Sequence, residues 1–388
     1  MTAELIARLR ADSEDQELGT VRRWQALHPG APLVGYLPGH VPRELIYAAG
    51  GLAVGLWGAW PGLEIIQGDA CFQSYICHLP RSLVEMAQRG LFADFAGLIV
   101  PSSCDVLRNL SGIWKLEGPR PWCFYLDLPQ NFDTEIGGVF LRAELLRLAT
   151  RLLGHAPEEP DLERVRAAIV LTNRQQDRLR CLRRWRRDEP QRVPIDDYLW
   201  LIRGALFLHP TEHIALLETY LETIAQGAGP PWRDSARVLL EGAFCEQPPA
   251  GLLKTIEQAG CAIVEEDLLL GLNWLEAPLR EDGDPLDSLV EGYLRRTRTV
   301  PFKYQDARAR RGTGATGSRG AGRRRDPCRP LVLRSGPARA PQPERGAAAG
   351  RDSLYTIPNY SEQSYQPLAV RELVGTFSDA IRLWSQEE

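Results

Sequence analysis

The sequence predicts an α/β protein of two lobes, each built on a mainly parallel sheet, with a helical segment joining them. Three observations predict this. Short apolar runs at 33–37, 52–57 and 97–101 alternate with helical patterns, as strands do with the helices that cross between them. From 137 to 225 the pattern is helical alone, and from Ser235 the alternation returns. The boundaries fall at 1–136 for the first lobe, 137–232 for the connecting helices and 233–388 for the second lobe.

Residues 1–30 read as helical, closed by His28, Pro29 and Gly30. The run 33–37 lies between Pro32 and Pro38 and has the form of a buried strand. Pro42 opens a helix over 42–49, since proline is preset for a first helical turn, and Gly50-Gly51 ends it. The next strand is 52–57. A helix over 81–89 sits between Pro80 and Gly90, and 97–101 is another buried strand. Long helices follow at 139–154 and 162–185, the second rich in arginines at solvent-facing spacings. In the second lobe, 236–242 and 261–264 are strands and 252–260 a helix.

The stretch 306–352 departs from this pattern. Of its 47 residues, 34 are Arg, Gly, Ala or Pro; it has twelve Arg, no Lys and no aromatic residue. Its one apolar cluster is Leu331-Val332-Leu333. Such a composition buries too little apolar surface to offset chain entropy. An internal loop of this length inside a compact lobe also runs against the usual loop lengths. A flexible basic linker, a nucleic-acid tail and a shifted reading frame are the three readings of it.

Composition narrows the function. The chain has 388 residues, 44% hydrophobic and 25% charged, with a net charge of −4, which excludes disordered, collagenous and small disulfide-stapled classes. No apolar run is long enough to span a bilayer, and residues 1–15 read as an amphipathic helix rather than a signal peptide. A cytoplasmic protein that engages no membrane is expected. Outside 306–352 acids outnumber bases, and the arginine tract lacks the aromatic interleaving of single-strand binders, so no nucleic-acid partner is expected either.

Eight cysteines are present: Cys71, Cys77, Cys104, Cys123, Cys181, Cys245, Cys261 and Cys328. In a cytoplasmic chain of this size they read as buried thiols or metal ligands, not disulfides. Cys104 follows a buried strand directly, where open α/β sheets place their ligand sites. Cys71 and Cys77 lie in 68–82, the densest motif in the chain, and Cys245 also follows a strand. Cys123, Cys181 and Cys261 sit in apolar or helical surroundings and read as core thiols. There is no Gly-x-x-x-x-Gly-Lys-Ser/Thr loop, nucleophile elbow or His-Glu-x-x-His helix, which removes P-loop nucleotide binding and two hydrolase classes. His209 and His213 stand four apart around Pro210 and read as cap or surface residues.

Several ungapped blocks carry a resemblance. They are 34–38, 41–46, Gln73-Ser74-Tyr75-Ile76-Cys77, the block 104–112 beginning Cys104-Asp105-Val106, Leu128-Pro129-Gln130-Asn131-Phe132, 242–249 and 375–384. In these blocks and their order the chain resembles the 2-hydroxyacyl-CoA dehydratase and benzoyl-CoA reductase family, most closely the C-type (gamma) subunits of class I benzoyl-CoA reductases. The resemblance implies flavodoxin-like lobes and a [4Fe–4S] cluster held by three cysteines, with one iron left open to a small ligand. Thiolates suit soft iron, and burial tunes its potential. The first two ligands match Cys77 and Cys104. The third belongs to a Pro-Ser-Phe-Cys-Asp-Pro-like segment that should fall within 306–352, where none is present. With one choice of synonymous codons, 326–336 read one base later gives Ile-Pro-Ala-Ala-Pro-Ser-Phe-Cys-Asp-Pro-Ala. A compensated frameshift is therefore the favoured account of the tract, and Cys245 is the fallback third ligand.

The resemblance further implies an oxidoreductase subunit that passes low-potential electrons to benzoyl-CoA or a related acyl-CoA for ring dearomatisation. Its implied partners are a paralogous B-type subunit in a heterotetramer, ATP-hydrolysing activator subunits and a ferredoxin donor. Two alternatives stay open: a subunit of a 2-hydroxyacyl-CoA dehydratase, or a non-catalytic partner with an incomplete cluster site. His40, Arg43, His78 and Arg81 lie near the matching blocks. Either they supply protons and fix the acyl-CoA, with His40 and His78 the catalytic candidates, or they cap helices and form ion pairs.

Overall fold

The computed structural model describes residues 2–37, 39–57, 62–73, 75–117, 121–227, 234–241, 248–267, 278–299, 331–335, 354–357 and 365–384. Helices α1 (Thr2–Glu14) and α2 (Gly19–Leu27) lead into the first sheet. Its strands are β1 (Leu33–Tyr36), β2 (Leu52–Gly55), β3 (Gly97–Pro101) and β4 (Trp122–Leu126), all parallel, in the order β2-β1-β3-β4. Strands β1, β2 and β3 are buried along their whole length, which is why they read as unbroken apolar runs and not as alternation. The connections carry α3 (Arg43–Ala48), α4 (Gln67–Cys71), α5 (His78–Gln88) and α6 (Asp105–Glu117).

The strand order reverses between β1 and β3, so the loops leaving their carboxyl ends diverge to opposite faces and open a crevice. Residues 39–42 form one wall and Ser102, Ser103 and Cys104 the other. Gly39 brings the walls together: its φ is 151°, and a Cβ there would lie 3.5 Å from Ser103 Oγ. This position favours glycine on conformational grounds.

After a π-helical turn (Thr134–Gly138) come α7 (Val139–Leu153), α8 (Glu159–Asp188), α9 (Ile195–Gly204) and α10 (Pro210–Gln226). Helix α8 starts at a capping box, Glu158 with Asp161, with Pro160 in its first turn. It packs against α3 early, where Thr172 Oγ1 donates to Glu44 at 2.8 Å. Its far end meets the second sheet. There Arg186, 2% exposed, donates to the carbonyls of Ile263 (2.6 Å), Pro190 (3.1 Å) and Val193 (2.7 Å) and pairs with Glu257. The arginines of this helix are thus not all solvent-facing: Arg183 pairs with Glu265, and Arg186 is core.

The second sheet holds β5 (Ala236–Glu241), β6 (Cys261–Asp267), β7 (Leu331–Ser335) and β8 (Leu354–Ile357) in the order β6-β5-β7-β8. Its helices are α11 (Ala250–Gln258), α12 (Pro285–Thr299) and α13 (Pro367–Trp384). β5 and β6 are parallel, as expected, while β7 and β8 add antiparallel pairs. The apolar cluster at Leu331-Val332-Leu333 therefore pairs as strand β7, although the surrounding composition reads as non-globular. Three consecutive branched apolar residues satisfy a strand locally, and β5 offers an open edge. One continuous apolar core runs from Ile6 through both sheets to Val374. No helix among the described residues is long and apolar enough to cross a membrane.

Candidate metal centre at the carboxyl edge of the first sheet

Cys104 stands directly before α6, and its sulfur accepts the backbone N–H groups of Val106 and Leu107, as an N-cap side chain does. Cys77 is the N-cap residue of α5, the helix next to α6. Both thiols are half-buried, and neither is in a disulfide. Burial pushes the Cys104 thiol up; charge on Cys77 adds to this, and the two amides oppose it. Cys77 thus lies near enough for its charge to act on Cys104. Two neighbouring helix N-termini favour anionic ligands at both positions.

The fold places Cys77 and Cys104 at the starts of two neighbouring helices. Among the described residues, no group of three His, Cys, Asp or Glu is placed to hold a metal ion. Cys245 and Cys328 lie outside the described residues, as does most of 306–352. Two thiols suit soft iron in chemistry, and the described residues add no third donor beside them.

The four basic candidates separate. His78 follows Cys77 and is held neutral, its pKa lowered by burial and then by Arg81, with Asp69 opposing. Its Nδ1 is buried without a hydrogen-bond partner among the described residues. Arg81 pairs with Asp69 at 2.6 Å and donates to the Ile76 carbonyl at 3.2 Å, so its ion-pairing role is the one observed. His40 lies on the other wall, its ring edge-on to Tyr293 with centroids 5.2 Å apart. It borders an open cleft of about 690 Å³ whose polar lining includes Tyr36, Arg43, Glu44, Gln176 and Tyr293. Arg43 is buried there, donates to the Ala205 carbonyl at 3.2 Å and faces Tyr36 and Tyr47, whose phenols burial pushes up.

The histidine pair of the connecting helices divides. His209 does cap α10, accepting from Thr211 N. His213 is neither a cap nor a surface residue: it is fully buried, with Nε2 2.8 Å from the Leu201 carbonyl and Nδ1 2.9 Å from Gln175 Nε2. The polar letter hid a core position because its partners come from α8 and α9. Burial pushes the Cys123 thiol up to about 11 and the Cys261 thiol up to about 12, as core thiols behave. The support beneath Cys77 is not evident from the sequence. Its only signal there is the spacing of Arg81, Glu85 and Arg89, four residues apart.

Comparison with known proteins gives the kinship. Residues 38–312 match the family model described as 2-hydroxyglutaryl-CoA dehydratase, D-component. The chain belongs to that family. The match runs from the loop after β1 through the connecting helices and past α12. Among D-component relatives, the chain is 36% identical to the C-type subunit of the benzoyl-CoA reductase of Thauera aromatica, over 99% of this chain and 100% of that one. It is 28% identical to lactoyl-CoA dehydratase subunit beta of Anaerotignum propionicum, over 68% and 69% of the two chains. It is 27% identical to (R)-2-hydroxyglutaryl-CoA dehydratase subunit beta of Acidaminococcus fermentans, over 61% and 62%. This kinship makes the chain an enzyme subunit of the dehydratase and reductase type.

Proposed function

We propose that the chain is the iron–sulfur subunit of an ATP-dependent benzoyl-CoA reductase, with Cys77 and Cys104 as cluster ligands. The observation that carries the assignment is full-length identity of 36% to a C-type benzoyl-CoA reductase subunit, against partial matches to dehydratase subunits. The paired thiols at the sheet edge support the ligand assignment. When bound, a [4Fe–4S] cluster supplies low-potential one-electron transfer toward an acyl-CoA thioester.

The chain's own residues do the rest. Two helix N-termini offset the negative charge of thiolates and of the group they hold. Neutral His78, beside Cys77, offers a proton-accepting nitrogen within the site. Buried Arg43, bonded to the Ala205 carbonyl, and Glu44, bonded to Thr172, fasten the wall carrying His40. Cys245, just beyond β5, is the fallback third ligand, unless the native gene restores one within 306–352. The partners are a paralogous B-type subunit, ATP-hydrolysing activator subunits, ferredoxin and an aromatic acyl-CoA. The lobe division at 1–136, 137–232 and 233–388 belongs to the same reading, as does a cytoplasmic location.

The test begins with resequencing codons 300–360, followed by anaerobic iron and sulfide counts on the encoded chain. Expected is iron and acid-labile sulfide in near-equal amounts, lost in Cys77→Ser and Cys104→Ser, with benzoyl-CoA reduction when partner subunits and activator are added. A confirmed arginine tract together with no sulfide uptake would sink the cluster assignment. Turnover of a 2-hydroxyacyl-CoA in place of benzoyl-CoA would move the chain to the dehydratases.

A further inference from the structure

The segment that leads to Cys77 is fastened at residues 64, 66–69 and 76 to one face of α5. Three residues spaced four apart do this. Arg89 Nη2 donates to the Glu64 carbonyl at 2.6 Å. Glu85 Oε2 accepts the amides of Ile66 (2.8 Å), Gln67 (2.6 Å) and Gly68 (3.3 Å), while its other oxygen accepts from Arg89 at 3.0 Å. Arg81 holds the Asp69 carboxylate at 2.6 Å and the Ile76 carbonyl at 3.2 Å. Residues 64, 66, 67, 68, 69 and 76 are thus all tied to the helix that Cys77 caps.

Two features mark this as more than surface pairing. Glu85 is 4% exposed, yet its carboxylate is fully engaged, because a buried charge persists only when its oxygens are satisfied. Gly68 packs so tightly on α5 that an added Cβ would lie 1.9 Å from the Arg81 carbonyl oxygen. The Arg81 contact matters most, since the Ile76 carbonyl belongs to the peptide bond that joins Cys77. Fixing that peptide fixes the direction in which the Cys77 side chain leaves the helix.

We infer that Arg81, Glu85 and Arg89 form a positioning ladder that holds the Cys77 sulfur toward Cys104 before any metal binds. They are positioning residues, acting through backbone that never touches a ligand. The inference rests on the proposed pairing of the two thiols, and its test needs no cluster. Oriented groups react faster than loosely held ones, and small displacements cost large factors in rate.

The experiment uses the full-length, chelator-treated chain under anaerobic conditions with dibromobimane, which fluoresces once it has bridged two thiols. Peptide mass spectrometry identifies the bridged pair, and iodoacetamide labelling of Cys77 gives its simple accessibility. Expected is a Cys77–Cys104 bridge in the unaltered chain, slowed about tenfold in Arg81→Gln and Glu85→Gln with Cys77 labelling undiminished. Arg81→Lys should recover part of the rate, because an ammonium reaches Asp69 but cannot span both acceptors. Asp69→Asn, at a partly exposed carboxylate, tests the ladder without threatening the fold. Its slowing, by a smaller factor, supports the proposal. Bridging rates within about twofold of the unaltered chain, in variants still folded by near-ultraviolet dichroism, would overturn the ladder and leave the thiol pair standing. No bridge in the unaltered chain would overturn the pairing itself, and the ladder with it.

Discussion

Cys77 and Cys104 begin two neighbouring helices, α5 and α6, and negative charge on the Cys77 thiol raises the proton affinity of Cys104. Two residues 27 positions apart in the chain become electrostatic neighbours because both connections leave the same edge of one parallel sheet. A cation shared by both sulfurs would relieve this repulsion, which is the physical basis for reading them as one site.

Two thiols outside the candidate site, half-buried Cys123 and buried Cys261, should be inert. With pKa values of about 11 for Cys123 and about 12 for Cys261, iodoacetamide at neutral pH should leave both unmodified in the native fold. Raising the pH should accelerate modification of Cys123 about tenfold per unit until its pKa is approached. Mass spectrometry of labelled peptides checks this. Prompt labelling of Cys261 at pH 7 would show that β6 opens readily.

Gly68→Ala should destabilise the protein by about 1–3 kcal/mol, because the new methyl group must displace α4 from the α5 backbone. Urea unfolding measures it. A change of less than about 0.5 kcal/mol, the usual range for innocuous surface substitutions, would mean that α4 adjusts freely.

Arg186 ties α8 to β6 through the Ile263 carbonyl, to the loop before α9 through the Pro190 and Val193 carbonyls, and to α11 through Glu257. Arg186→Met should cost about 3–5 kcal/mol, since it strips partners from buried acceptors and leaves Glu257 unpaired. Chemical denaturation checks the magnitude. Arg186→Lys should recover little, because one ammonium cannot replace a guanidinium fork reaching four acceptors.

His213 should make stability depend on pH. Burial lowers its pKa from 6.5 to about 4, so between these values the unfolded chain binds a proton that the folded chain refuses. Its contribution is fully present above pH 6.5 and is lost as the pH falls toward 4. The loss amounts to about 3 kcal/mol at most. Denaturation midpoints at pH 7.5 and 4.5 read it out, and His213→Leu should flatten the difference. An unchanged slope in that variant would assign the acid sensitivity to other groups.

Much of the architecture is legible in one dimension. Strand β3 spans the residues its apolar run marks, 97–101, and the helices expected at 139–154 and 162–185 lie within a few residues of those ends. Local signals suffice there: prolines and glycines at the boundaries and apolar runs between them. Strand β4 is absent from the sequence reading although Trp122–Leu126 is an unbroken run of apolar and aromatic residues; at the sheet edge four of the five are only half-buried. Strand β7 hides within a tract of non-globular composition because pairing with β5 is a long-range event that composition does not register.

Elements and candidate ligands are local properties. A cysteine after a buried strand, or a proline opening a helix, is written within a few residues, so the α/β class and the candidacy of Cys104 needed only local order, while Cys77 and its pairing with Cys104 rest on the resemblance of whole blocks. Which residues meet is a different matter. The reversal of strand order between β1 and β3, the reach of Glu85 back to Ile66 and Gln67, and the burial of His213 between Gln175 and Leu201 depend on how separate segments pack. Such contacts form only when hydrophobic burial brings distant chain together, and no local pattern encodes them.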